Sequence, residues 1–266
     1  MRQAPPTVQS CRFRAPLSEE RTMFIKFLYA FICAATMVCG FLFVRSQYNG
    51  ACGRSLTLKM IAATGYIAIG ALAVKISGNE SRFALIMFGA LICSWIGDLF
   101  LHLWQHKIYT AVGFLGFLTA HFFFIAAYLR AIRLYAPDRS FFSAPEIIAV
   151  VLFDVFFLVF SRLIGTEIKG VLNIPIVMYA TVITTMLCKA CIMGISMIKA
   201  DVPHATAAAV LAVAGASLFV MSDFSIAILM FNKKYKKSHP LKMFNILTYF
   251  AAELALASLL LVVNPV

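Results

Sequence analysis

Residues 83–103 read FALIMFGALICSWIGDLFLHL, a run in which Asp98 is the one acid and neither lysine nor arginine occurs. About 20 apolar residues suffice to carry a helix across the hydrocarbon of a bilayer, so this stretch predicts a membrane-spanning helix with a carboxylate inside it. Working outward, runs of the same kind occur near residues 24–44, 56–75, 110–130, 144–164, 173–199, 206–231 and 242–263. The chain holds 266 residues, 62% hydrophobic and 13% charged, with 25 Phe. That exceeds the apolar content a water-soluble core requires. The reading is all-α: a polytopic membrane bundle of eight transmembrane helices over residues 24–263. A basic arm over residues 1–23, expected to be disordered, precedes it, and a tail of residues 264–266 follows. The run from Met23 to Val44 is longer than the apolar segment of a secretory signal and is read as the first helix.

The formal charge is +12, from 23 Lys and Arg against 11 Asp and Glu. In a soluble chain such a balance suggests nucleic acid, but here the basic residues lie mostly between apolar runs, where they meet anionic headgroups. No zinc-finger or basic-helix pattern accompanies them, so the expected partners are membrane lipids and not nucleic acid. With the embedded Lys59 and Lys189 set aside, the two faces of an eight-helix bundle carry 11 and 10 basic residues. The charge rule therefore does not orient the chain, and the basic arm alone favours a cytosolic N-terminus. Five of the seven cysteines lie inside apolar runs and read as small buried hydrophobes. Cys188 and Cys191, three apart, are only a weak start for a metal site with His204. Gly113 and Gly116 in the fourth helix, and Ala212, Gly215 and Ala216 in the seventh, mark close helix contacts.

Asp98, Asp154, Asp223, Glu253, His121 and Lys189 all fall well inside apolar runs. A charge near the bilayer centre costs about 2.5–3.5 kcal/mol on insertion scales, so such groups face the bundle interior or a wet cavity. The third and seventh helices run in the same direction, and Asp98 and Asp223 lie at similar distances from their starts. At about 1.5 Å per residue their depths agree within a few ångströms, which predicts one shared site if the two helices touch. Ser94 stands one turn before Asp98, and His102 one turn after it, nearer the interface and within reach of water or phosphate. Asn245, Tyr249 and Glu253 recur every four residues in the eighth helix and form an inward polar stripe. Thr181, Thr185 and Lys189 form another such series in the sixth. Asp154 is expected to pair with Lys189 as a purely structural ion pair.

These residues together resemble the YhhN-like lysoplasmalogenase family of multi-spanning membrane proteins. Ser94, Gly97 and Asp98 match its S-x-x-G-D segment, and Gly113, Phe117 and His121 its G-x-x-x-F-x-x-x-H segment. Tyr179 with Ala180 matches a Y-A pair, and Gly215, Phe219, Ser222 and Asp223 match G-x-x-x-F-x-x-S-D. Tyr249 and Ala252 fit the late Y-x-x-A-Q segment, with Glu253 where the family has Gln. A Lys-Pro expected near the second helix is Lys59–Met60 here.

The resemblance implies hydrolysis of the vinyl ether bond of a lysoplasmalogen to a fatty aldehyde and glycerophosphoethanolamine or glycerophosphocholine. It also implies residence in an endomembrane such as the endoplasmic reticulum. A vinyl ether is protonated at its outer carbon, and the resulting oxocarbenium ion takes up water at the inner carbon. That chemistry needs a proton-holding acid and a second negative group. Two carboxylates in a dry cavity share one proton readily, which makes Asp98 and Asp223 the expected catalytic pair. His121, Ser94, Ser222, Tyr179, Tyr249 and Glu253 are candidates to orient them or hold water, with Lys59 or His102 at the phosphate. The reaction demands no metal or other cofactor, although Asp98, Asp223 and His121 would form a ligand set if they converged. Two rivals use the same buried acids: a proton-coupled carrier, and a scaffold in which they only hold helices together.

Overall fold

The structure is a computed structural model that describes residues 19–48, 52–79, 81–103, 107–165 and 173–263. Most of the expected arm and the tail at 264–266 lie outside the described residues. Eight helices follow one another: α1 (Glu19–Tyr48), α2 (Cys52–Ser77), α3 (Arg82–His102), α4 (Lys107–Tyr135), α5 (Ala144–Leu163), α6 (Asn173–Lys199), α7 (Ala205–Phe231) and α8 (His239–Ser258), the last continued by a 3-10 turn at Leu259–Leu261. All eight are long and apolar enough to cross a membrane, and no strand occurs among the described residues. The helix α1 begins at Glu19, so its first turn takes in residues expected in the arm.

Local chemistry sets the ends. Ser81 caps α3 by accepting the Ala84 N–H, and Ser238 caps α8 by accepting the Leu241 N–H. Pro145 sits in the first turn of α5, where its missing N–H costs nothing. The helices α6 and α7 are joined by a tight turn in which Asp201 and His204 both take positive φ, at 50° and 61°. That conformation lets two long helices reverse across only five intervening residues, Ala200 to His204.

Packing is centred on α8, which lies against α7, α1, α2 and α3. In turn α3 lies on α4 and α2, α6 on α7, α4 and α5, and α5 hangs at the edge against α6. Small residues allow the tightest contacts. A Cβ on Gly116 would meet the backbone N of Gly97 at 3.0 Å, and one on Gly113 would meet the backbone N of Leu101 at 2.9 Å. Gly215 faces Leu256 and Ala252 of α8 in the same way, with Ala212 and Ala216 buried beside it. The expected glycine and alanine contacts are therefore real and join α3 to α4 and α7 to α8. The outward faces of α1 and α5 expose Phe27, Phe31, Leu152 and Phe156, as lipid-facing surfaces do.

The expected Lys189–Asp154 pair does not form. Lys189 instead bonds the Glu146 carboxylate and the Phe141 carbonyl, with its ammonium 4.5 Å from the Phe142 ring centre. Its long stem runs from mid-helix toward the α4–α5 connection, so the charge ends nearer the interface than the Cα does. Asp154 accepts a hydrogen bond from Thr181 at 2.6 Å.

Candidate functional site

Two polar centres occupy the bundle, one around each aspartate. The first lies between α2, α3 and α8. Asp98 is buried, with Lys59 Nζ 3.0 Å from Oδ1 and donating also to the Asp98 carbonyl at 2.8 Å. Oδ2 accepts from the Tyr249 hydroxyl at 2.6 Å and from the Tyr66 hydroxyl at 3.1 Å. The three donors come from two neighbouring helices, so the ion pair is also a clamp holding α2 and α8 to α3. Such a pair is tolerable in hydrocarbon because the desolvation of each ion is met by the other and by further hydrogen bonds. Toward the helix end, His102 Nε2 and Ser55 Oγ are 3.1 Å apart, and the His102 ring packs on Phe43.

The second centre lies between α4, α6 and α7. Tyr179 donates to Asp223 Oδ2 at 2.7 Å, and His121 Nε2 stands 3.7 Å from the same oxygen. His121 Nδ1 is 2.5 Å from the Phe117 carbonyl one turn earlier. The carbonyl can only accept, so the Nδ1 proton points at it and in the neutral ring Nε2 faces the carboxylate as an acceptor. The imidazole is wedged edge-on between Phe219, with ring centres 4.7 Å apart, and Tyr179, at 5.5 Å.

Asp223 and Tyr179 form part of the wall of a 620 Å³ cavity bounded by α4, α5, α6 and α7. Ligand pockets typically span about 300–1,000 Å³. Nearly all of the lining is hydrocarbon or aromatic, including Phe114, Leu118, Phe153 and Phe157, with Asp223 as the one carboxyl group among the described lining residues. The shape suits an alkyl chain lying beside a carboxyl group and a hydroxyl. Asp98 does not line this cavity.

Depth alone suggested one site holding both aspartates, but the tertiary structure separates their surroundings. The helix α3 packs on α2, α4 and α8, whereas α7 packs on α6 and α8 along its backbone and on α4 and α5 through ring contacts. The connection between the acids runs from Asp98 to Tyr249, then to Phe219 at 5.5 Å between ring centres, then to His121 and Asp223. Phe117 packs on both Tyr249 and Phe219, thickening this aromatic layer. No group of three or more His, Cys, Asp or Glu side chains among the described residues is placed to hold a metal ion, so Asp98, Asp223 and His121 do not make the ligand set considered above.

Of the remaining candidates, Glu253 is fully buried and has Ser94, Tyr249, Asp98 and Asp223 as polar or charged neighbours. The Ser94 and Tyr249 hydroxyls are its nearest donors, and neither closes a bond of full hydrogen-bond geometry to it. Glu253 thus stands between the two centres. The inward stripe on α8 is present, with Asn245, Tyr249 and Glu253 all buried. Ser222 turns toward α8, donating to the Asn245 carbonyl at 3.1 Å, while the Asn245 amide donates back to the Ser222 carbonyl at 2.7 Å. Its role in this geometry is to lock α7 to α8. Tyr66 is the participant that the sequence reading missed. It follows Lys59 by seven residues, two helical turns along one face of α2, and that spacing was the available signal.

The site residues can be set beside known proteins. Residues 55–260 match the YhhN family, a span that includes Lys59, Asp98, His121, Tyr179, Asp223 and Glu253. No curated protein and no solved structure matches the chain. The family match covers well over half of the sequence and both polar centres, and the chain belongs to the YhhN family.

Proposed function

We propose that this protein hydrolyses the vinyl ether bond of lysoplasmalogens in the membrane, releasing a fatty aldehyde and a glycerophosphoethanolamine or glycerophosphocholine. The observation that carries the reading is a carboxyl group, Asp223, set with Tyr179 in the wall of an alkyl-lined cavity and backed by His121, whose Nε2 stands 3.7 Å from it. The single chain of a lysolipid lies in that cavity with its first carbons beside Asp223.

In this scheme Asp223 gives its proton to the outer alkene carbon, and the positive charge passes to the inner carbon and its ether oxygen. Water attacks the inner carbon and returns a proton to the Asp223 carboxylate, behind which His121 Nε2 stands as an acceptor. The hemiacetal then breaks its C–O bond as the glycerol oxygen takes the Asp223 proton, and the hemiacetal hydroxyl gives its own proton back to that carboxylate as the aldehyde forms. Tyr179 holds the carboxyl group in place. Asp98 is the second acid of the proposal; paired with Lys59 and outside the cavity wall, it acts by positioning Tyr249, whose ring packs on Phe219 beside His121. Proton transfer by a positioned group and electrostatic steadying of a developing cation are the two contributions required.

The test uses purified protein with a lysoplasmalogen and with its saturated ether analogue. Aldehyde from the first substrate alone is expected, and no product from either would overturn the reading. The buried Lys59–Asp98 pair also suits a proton-coupled carrier; that alternative predicts solute movement into liposomes without aldehyde. Residence in the endoplasmic reticulum belongs to the same proposal and is checked by co-localisation with a marker of that membrane.

A further inference from the structure

A second pocket opens near the far end of α4. Thr110 borders the alkyl cavity, whereas Arg133 borders this pocket, and the intervening 23 residues of helix span about 34 Å at 1.5 Å per residue. The two pockets therefore border opposite ends of α4, a helix long enough to cross a membrane. The second pocket encloses 240 Å³ between α4, α6 and the α4–α5 connection, and Arg133, Arg139, Lys189 and Ser140 are its polar lining.

Its charge is unbalanced. Glu146 is the buried acid beside it and is shared: Lys189 bonds one carboxyl oxygen, while Arg139 lies 3.4 Å from the other, which also accepts the Ser143 hydroxyl at 2.7 Å. With the exposed Asp138 of the same connection counted beside Glu146, three cations still outnumber two carboxylates. Lys189 is buried and fixed by Glu146 and the Phe141 carbonyl, so its charge is built into the pocket wall. Arg133 and Arg139 are more exposed and bring planar donor sets that fit phosphate oxygens. Around the opening, Leu134, Phe141 and Phe142 are exposed apolar side chains. A concave group of cations with an apolar surround, at the level where a helix leaves the bilayer, has the chemistry of a lipid headgroup site and not of a soluble-protein interface.

We infer that Arg133, Arg139 and Lys189 form a binding site for the phosphate of an anionic phospholipid, in the leaflet opposite the mouth of the alkyl cavity. The inference is independent of the hydrolytic reading, since it involves neither aspartate and neither wall of the cavity.

Binding is measured on the full-length protein in detergent micelles, using dioctanoyl phosphatidate, dioctanoyl phosphatidylcholine and inorganic phosphate as separate probes. Phosphatidate is expected to bind at least tenfold more tightly than either of the others. Arg133→Glu is expected to weaken phosphatidate binding tenfold or more while the helical circular dichroism and melting temperature stay at parental values. Arg133→Gln, which removes the charge without reversing it, is expected to give a smaller loss in the same direction and serves if the reversal perturbs folding. Equal binding of phosphatidate and phosphatidylcholine would overturn the site's charge selectivity. Inorganic phosphate binding as tightly as phosphatidate would assign the pocket to a free anion and overturn the lipid. Undiminished phosphatidate binding by folded Arg133 variants would remove the site altogether.

Discussion

At the scale of single residues, Asp98 and Asp223 are the same side chain in two different surroundings. Asp98 is paired with Lys59 and held by two tyrosine hydroxyls, whereas Asp223 meets a tyrosine, a histidine and an alkyl-lined cavity. The two therefore predict different mutant behaviour. Asp223→Asn keeps the shape and the Tyr179 contact, so its turnover is expected to fall about 100- to 10,000-fold, the usual range for a lost general acid, with no drop in melting temperature. Asp98→Ala is expected to abolish turnover nearly completely and also to destabilise the fold, by about 3–5 kcal/mol for a lysine left unpaired in the interior. Thermal unfolding in detergent beside aldehyde release separates the two effects. Full activity in folded Asp98→Ala would remove that residue from the chemistry. Glu253→Gln installs the residue the family pattern carries; because Glu253 is fully buried with no cation paired to it among the described residues, the amide is expected to give equal or higher melting temperature and turnover of the same order. Loss of turnover in the folded variant would assign Glu253 a reacting role.

At the scale of elements, the polar centres depend on how closely particular helices approach. The contact of α3 with α4 places Asp98 and His121 on neighbouring backbones, and it requires Gly97, Gly113 and Gly116 to have no side chain. Gly116→Val would drive a Cβ to 3.0 Å from the Gly97 nitrogen and 3.2 Å from the Cys93 carbonyl. Overpacking of this kind typically costs about 1–3 kcal/mol, and a lowered melting temperature accompanied by reduced turnover is the expected result. The four-residue recurrence of Asn245, Tyr249 and Glu253 on α8 was legible because i, i+4 spacing defines a helix face. Tyr66 was not identified in that way, although its seven-residue distance from Lys59 puts both on one face of α2. What made the difference is that a tyrosine in an apolar helix is chemically ambiguous until its hydroxyl has a partner.

At the scale of the whole molecule, the cavity between α4, α5, α6 and α7 has no counterpart in any single run of sequence. Ala111 and Ala227 line it from α4 and α7, and an Ala227→Trp replacement is expected to fill part of its volume. The proposed reading then predicts a raised KM and a shift of preference toward shorter-chain lysoplasmalogens, measured with a series of alkyl lengths. Unchanged preference would place the alkyl chain elsewhere. The eight spans, the inward stripe on α8, the small-residue contacts and the burial of the acids follow from the order of residues alone, because hydrocarbon demands long helices and penalises every exposed charge whatever the helices do next. Partner choice is another matter. Depth along a helix is arithmetic, but azimuth and neighbour are set by how side chains pack between helices, and these gave Lys189 to Glu146, Asp154 to Thr181, and each of Asp98 and Asp223 a polar centre of its own.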